Sequence, residues 1–258
     1  MTLTPDTRRL YQQVASAISE SIESGKYQRG RRLPSERDLA AGFGVSRPTI
    51  REAMIALEIR GLAEIRHGSG IYVTERPPGH AGAADLDLAA DLDIGAFELT
   101  EARRLFEGEA AALAATTISD ERLQELKLVV AEMAGENARK EQSWAADRRF
   151  HIGIARATRN TAIAQVIENL LDLQHKSPLC SYMLERARRV GVQPRVSEHR
   201  RILVALRKHD PKAARNAMRD HLARVIVDLL AATEPDALDD SPARSEKRRN
   251  DYIRRLAI

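Results

Sequence analysis

Only one cysteine, Cys180, occurs among the 258 residues, so no intramolecular disulfide can form and a reducing, cytoplasmic setting is expected. Cys180 itself reads as a small buried side chain. No apolar run approaches the roughly 18–20 residues that cross a bilayer, so no membrane segment is expected. Met1 is followed by polar and charged residues, without the pattern of a secretory signal. Missing too are an HExxH motif, a Gly-rich phosphate loop and any Ser or Cys nucleophile arrangement. Those absences weigh against an enzyme. What is there, 43% hydrophobic and 30% charged residues, describes a globular chain long enough for two cores. The formal charge of +4 is a mild basic bias that matters only where cations cluster.

They cluster near the N-terminus. Leu10, Val14, Ala17, Ile18 and Ile22 recur at helical spacing and stop at Gly25. A loop, "GKYQRGRR", leads to Ser35, an N-cap with Asp38 three residues on, and so to a second helix. A third helix begins at Ser46, with Pro48 in its first turn, where the missing N–H costs nothing. Ile50, Ala53, Met54 and Leu57 form its apolar stripe. "LAEI" and "GIYV" flank "RHGSG" as a hairpin. Three short helices and a hairpin predict a winged helix-turn-helix over residues 1–76.

In such a domain the N-terminus of the third helix faces the major groove, offering N–H groups and a positive dipole to phosphate. Ser46, Arg47, Thr49 and Arg51 are placed to reach bases or phosphates there. Arg66 and His67 sit at the hairpin tip, where Gly68 and Gly70 permit close approach to a duplex. One recognition helix covers only a half-site, so a pseudo-palindromic operator and a homodimer are expected.

The stretch 77–93, with Pro77 and Pro78, reads as a linker. Residues 94–233 carry helical periodicity with no strand signal, predicting a six- or seven-helix antiparallel bundle. Breaks are expected near residues 117–119, Gly135, Asn160, Ser177–Pro178, 191–194 and Asp210–Pro211. The fold class is therefore mainly α, with a charged tail over 234–258. Within the bundle, Asp147 and His151 stand four residues apart on one helix, a spacing that lets both reach one ion. His199 and His221 each lie on a later helix beside apolar residues that would turn them inward. One carboxylate and three imidazoles suit Zn, Mn, Fe or Ni without choosing among them.

"LPSERDLA", "VSRPTIREAM" and "IRHGSGIYV" resemble the N-terminal signature of the GntR family of bacterial repressors. That resemblance implies a DNA contact for Arg37 as well, with Arg47, Thr49, Arg51 and Gly68 at matching contact positions. The Asp-x-x-x-His pair followed by two single histidines resembles the FCD ligand-binding domain of the FadR subfamily. It implies a divalent metal and an effector at the centre of the bundle. "FELTEARRLFEGEAAALAA" is similar to that domain's first helix, which implies Arg103, with Arg104 competing, as partner of an effector carboxylate. "RRLYQQVA", "FELTEARRLFE" and "RFHIGIARATRNTAIAQVIENL" resemble repressors of hexuronate utilisation, which implies release by a uronate or keto-uronate. Another organic acid (lactate, pyruvate or an aldonate) and a metal-dependent hydrolase are the alternatives. A hydrolase would leave the winged helix without a purpose.

Overall fold

The computed structural model describes residues 9–66, 69–75, 94–139 and 144–233. His67, Gly68, the linker and the charged tail lie outside the described residues. Among the described residues the chain is helical apart from one antiparallel hairpin.

The N-terminal helix α1 (Leu10–Glu23) buries Tyr11, Val14, Ile18 and Ile22 along one stripe. Helix α2 (Glu36–Phe43) is capped by Ser35, whose Oγ accepts the Asp38 N–H at 3.2 Å. Gly44, at φ +68°, ends α2 in the left-handed region that disfavours a Cβ, and so makes the tight turn. Helix α3 (Arg47–Ile59) follows at once, capped by Ser46. Strands β1 (Ala63–Arg66) and β2 (Gly70–Val73) pair with Ala63 opposite Val73. Ala63, Ile65, Ile71 and Val73 face inward while Glu64 and Arg66 are exposed, the alternation of a half-buried hairpin. The approach to α2, read from sequence as plain loop, adds a third rung: Leu33 donates to Ile71 and Val73 donates to Arg31.

Among the described residues seven helices follow: α4 (Ala96–Thr117), α5 (Asp120–Ala138), α6 (Ala145–Ala157), α7 (Thr161–Lys176), α8 (Pro178–Arg189), α9 (Val196–Arg207) and α10 (Pro211–Thr233). Five of the expected breaks fall between them. Gly135 does not: α5 runs through it to Ala138, and the Arg139 N–H bonds back to the Gly135 carbonyl. An interior glycine costs about 1 kcal/mol, less than burying the α5 stripe of Leu126, Val130 and Met133 returns.

The chain divides into two compact units. Among the described residues, one joins those up to Phe97 with Ser177–Arg186 and residues 229–233, so most of α8 and the end of α10 belong with the winged helix. The other comprises Glu98–Lys176 and Ala187–Asp228. Its core interleaves small and large residues. Ala111, Ala114 and Ala115 of α4 admit Phe150 of α6, Met133 of α5 and Met218 of α10. Gly153 lets α6 approach α5 so closely that a Cβ there would stand 2.7 Å from Leu126.

Candidate functional site

Inside the second unit, α6 presents Asp147 and His151, α9 presents His199, and α10 presents His221. One ligand atom from each of the four lies within 4.8 Å of every other, and all four residues are buried. His199 and His221 stand ring to ring at 4.6 Å, and His151 stacks on His221 at 5.3 Å.

Each imidazole is anchored through the same nitrogen. His151 Nδ1 pairs with Glu107, His199 Nδ1 with the Arg195 carbonyl at 3.0 Å, and His221 Nδ1 with Glu198 at 2.9 Å. A proton held on Nδ1 leaves the lone pair on Nε2, the arrangement in which protein carboxylates and carbonyls orient metal-binding histidines. The Nε2 atoms of His151 and His199 are buried with no hydrogen-bond partner. His199 Nε2 lies 3.0 Å from Asp147 Oδ1 but off the line of a hydrogen bond. Two buried ring nitrogens left in this state are costly in an ordinary core. The same atoms fit a cation.

For His221 and Asp147, protonation agrees with that fit. Burial pushes His221 down to about 4, with Glu198 opposing, which keeps its ring neutral near pH 7. Burial pushes Asp147 up, but His199, His151 and His221 outweigh it and hold the carboxyl far below its usual range. His199 is raised: burial disfavours its charge, and Asp147 overcomes that. An anionic oxygen beside three imidazole nitrogens is a donor set for borderline divalent ions.

Arg103 lies one layer behind. Its guanidinium is 3% exposed, with Nε on Glu107 at 2.6 Å and Nη1 on Gln174 at 2.7 Å. Nη2 has no partner among the described residues. Glu107 therefore bridges Arg103 to His151. Burial raises its carboxyl, but Arg103 and His151 more than offset this and hold it at about 2. Arg104, the competing choice, bonds the Arg219 carbonyl at 3.3 Å. Trp144 is half-buried at the start of α6 with Arg188 over its ring. His175 and His209 bond the Leu171 and Ala115 carbonyls and stand outside the cluster. Sequence reasoning missed Glu107, Gln174 and Glu198, since nothing local marks a carboxylate or amide that serves a histidine or arginine on another helix.

In the first unit the N-terminus of α3 stands open. Arg37 and Ser46 are exposed, and Arg47 and Thr49 half-exposed. The Ser46 and Thr49 hydroxyls share a hydrogen bond of 2.8 Å, so capping and presentation use one pair of groups. Arg66 is exposed at the end of β1, held over the Tyr72 ring at 4.4 Å and bonded to Glu64. Arg51 departs from the expectation. It is 2% exposed, with Nη2 on Glu36 at 2.7 Å and Nη1 on the Thr233 carbonyl at 2.9 Å. One cation was not singled out from sequence: Arg32, exposed, bridges to Tyr72 and lies against Gly70 of the hairpin.

Comparison with known proteins matches residues 10–73 to bacterial regulatory proteins of the gntR family and residues 98–224 to the FCD domain. The chain is 37% identical over 231 residues to the Exu regulon transcriptional regulator of Escherichia coli K12, covering 90% of this chain and 88% of that one. It is 35% identical to the Uxu operon transcriptional regulator of the same organism, covering 89% and 90%. Against the Uxu operon regulator of Haemophilus influenzae it is 31% identical, covering 88% and 84%. Among the described residues no helix is long and apolar enough to cross a membrane. A winged helix that presents a cationic helix start, joined to an FCD bundle, regulates transcription by binding DNA and is not an enzyme. The chain belongs to the gntR family of bacterial regulatory proteins, in its FadR-type branch with an FCD domain.

Proposed function

We propose that this regulator represses hexuronate catabolic genes from the cytoplasm, as a homodimer on a pseudo-palindromic operator. A hexuronate, or a keto acid derived from one, releases it. Asp147, His151, His199 and His221 would hold one divalent ion. When bound, that ion would supply coordination positions that an effector carboxylate or hydroxyl can take. The observation that carries this reading is the convergence of three Nδ1-anchored histidines and one carboxylate within 4.8 Å. Likeness to regulators of the Exu and Uxu regulons supports the sugar-acid class.

The residues divide the work. Arg103 would offer its remaining Nη2 to the effector's anionic end while Nε holds Glu107. Glu107 keeps the proton of His151 on Nδ1 and the lone pair on Nε2. At the DNA, Arg47 would read a base edge from the first turn of α3. Arg37, Ser46, Thr49 and Arg66, with His67 and Gly68 of the hairpin tip, would fix register on the backbone. Arg51 would join the contact set once it leaves the Thr233 carbonyl. Release follows only if the effector binds the DNA-incompetent arrangement better, because differential affinity alone shifts an equilibrium.

Fluorescence anisotropy on an operator duplex tests this. Galacturonate or glucuronate, or the keto acid of either, should dissociate metal-loaded protein, and chelator-treated protein should ignore them. His199→Ala should bind operator yet lose both metal and response. Release by lactate or pyruvate but by no uronate would remove the hexuronate assignment and leave the regulator standing. A normal response from metal-free protein would remove the metal.

A further inference from the structure

The middle of α3 has no open side. Every residue from Ile50 to Leu57 is buried, where a surface helix leaves its outer face to water. Its charged side chains are all engaged within the first unit. Glu52 accepts the Phe97 N–H at 2.8 Å. Glu58 accepts the Tyr182 hydroxyl and Arg186, each at 3.1 Å, with its other oxygen on the Ile65 N–H. Arg51 reaches the Thr233 carbonyl, and Thr233 is itself fully buried.

That carbonyl closes the described end of α10. The last carbonyls of a helix lack intrahelical donors and carry the negative end of its dipole, so a guanidinium satisfies both needs at once. A phosphate oxygen carries full charge and competes well against a neutral carbonyl for the same N–H. The helix that ends on Arg51 also carries His221, about three turns earlier.

We propose that the C-terminal end of α10 is an intramolecular cap on the recognition helix, competing with DNA for Arg51 through the Thr233 carbonyl. The arrangement described is the capped form, and operator binding requires Arg51 to leave Thr233. This rests on the reading of Arg51 as a DNA contact.

A mutant cycle on the full chain separates the two. Leu229 and Leu230, buried at 3% and 5%, seat the end of α10, and L229E/L230E should unseat it. The unseated variant should bind operator about tenfold more tightly at fixed salt without effector, the scale of a modest allosteric coupling. Arg51→Ala should then cost more in the unseated background than in the parent, because in the parent it also removes the cap. Equal costs in both backgrounds overturn the cap. No cost in either removes Arg51 from the DNA contacts and takes the cap with it, while the regulator reading survives on Arg47 and Arg66. Should L229E/L230E not fold, hydrogen exchange on the parent chain decides. Saturating operator should speed exchange of the amides over 229–233, and unchanged or slower exchange overturns the proposal.

Discussion

Replacing Glu107 with glutamine should damage stability and metal affinity together, although Glu107 is no metal ligand. The carboxylate is 2% exposed and takes Arg103 Nε at 2.6 Å on one oxygen and His151 Nδ1 on the other. Glu107→Gln keeps the shape and deletes the charge, leaving the buried Arg103 cation with neutral amide oxygens in place of a carboxylate. Breaking a buried pair from one side costs about 3–5 kcal/mol. For a domain of this size that lowers the midpoint of thermal unfolding by on the order of 10 °C. His151 would keep at best a neutral partner on Nδ1, and loss of such an anchor weakens a metal site about 10–100-fold. The pH dependence has a definite sign. The Glu107 carboxyl is held at about 2 against an ordinary 4.5, so its stabilisation is complete above 4.5 and lost as pH falls toward 2. The gap between parent and variant should therefore be full at pH 7 and close on acidification. Chemical unfolding at several pH values and metal competition against a calibrated chelator measure the two effects. A variant that unfolds like the parent at pH 7 and holds metal as tightly would refute the bridge from Arg103 to His151.

Gly70 takes φ +111°, and a Cβ on it would stand 2.6 Å from Arg32 Nε, so Gly70→Ala should destabilise the hairpin by about 1–3 kcal/mol. It should weaken every operator sequence alike, by anisotropy, and a variant with parental unfolding and affinity would clear Arg32 and Gly70 of any role. Arg47→Ala and Arg66→Ala should differ in kind: the first costs about 1–3 kcal/mol and relaxes choice at one base pair. The second weakens all duplexes and lowers the salt slope by about 0.9 if one phosphate contact is lost. Identical salt slopes and identical sequence profiles for the two would show that the hairpin and helix roles are assigned wrongly.

Local chemistry was legible wherever a single element carries the signal. Ser35 and Ser46 announced α2 and α3 because a cap acts three residues away, and both accept the expected N–H. Asp147 and His151 announced a shared face because four residues make about one helical turn. Gly135 misled for the same reason. Its propensity is local, whereas the burial of Val130 and Met133 that overrides it depends on neighbouring helices.

What stayed hidden depends on contacts across the chain. Glu107 meets His151 over 44 positions and Arg51 meets Thr233 over 182, and no spacing rule reaches that far. The two cases differ in consequence. Glu107 adds a layer to a cluster whose four members were already marked, so the reading deepens without turning. Arg51 reverses direction: its place in the motif points outward to DNA, while the fold turns it inward onto a helix end. A motif records what a residue contacts in one state of a regulator. A single arrangement records another. For a protein whose work is to bind and let go, a residue that its motif assigns to DNA and its fold assigns to a helix end is what the proposed switch requires, since each partner must displace the other.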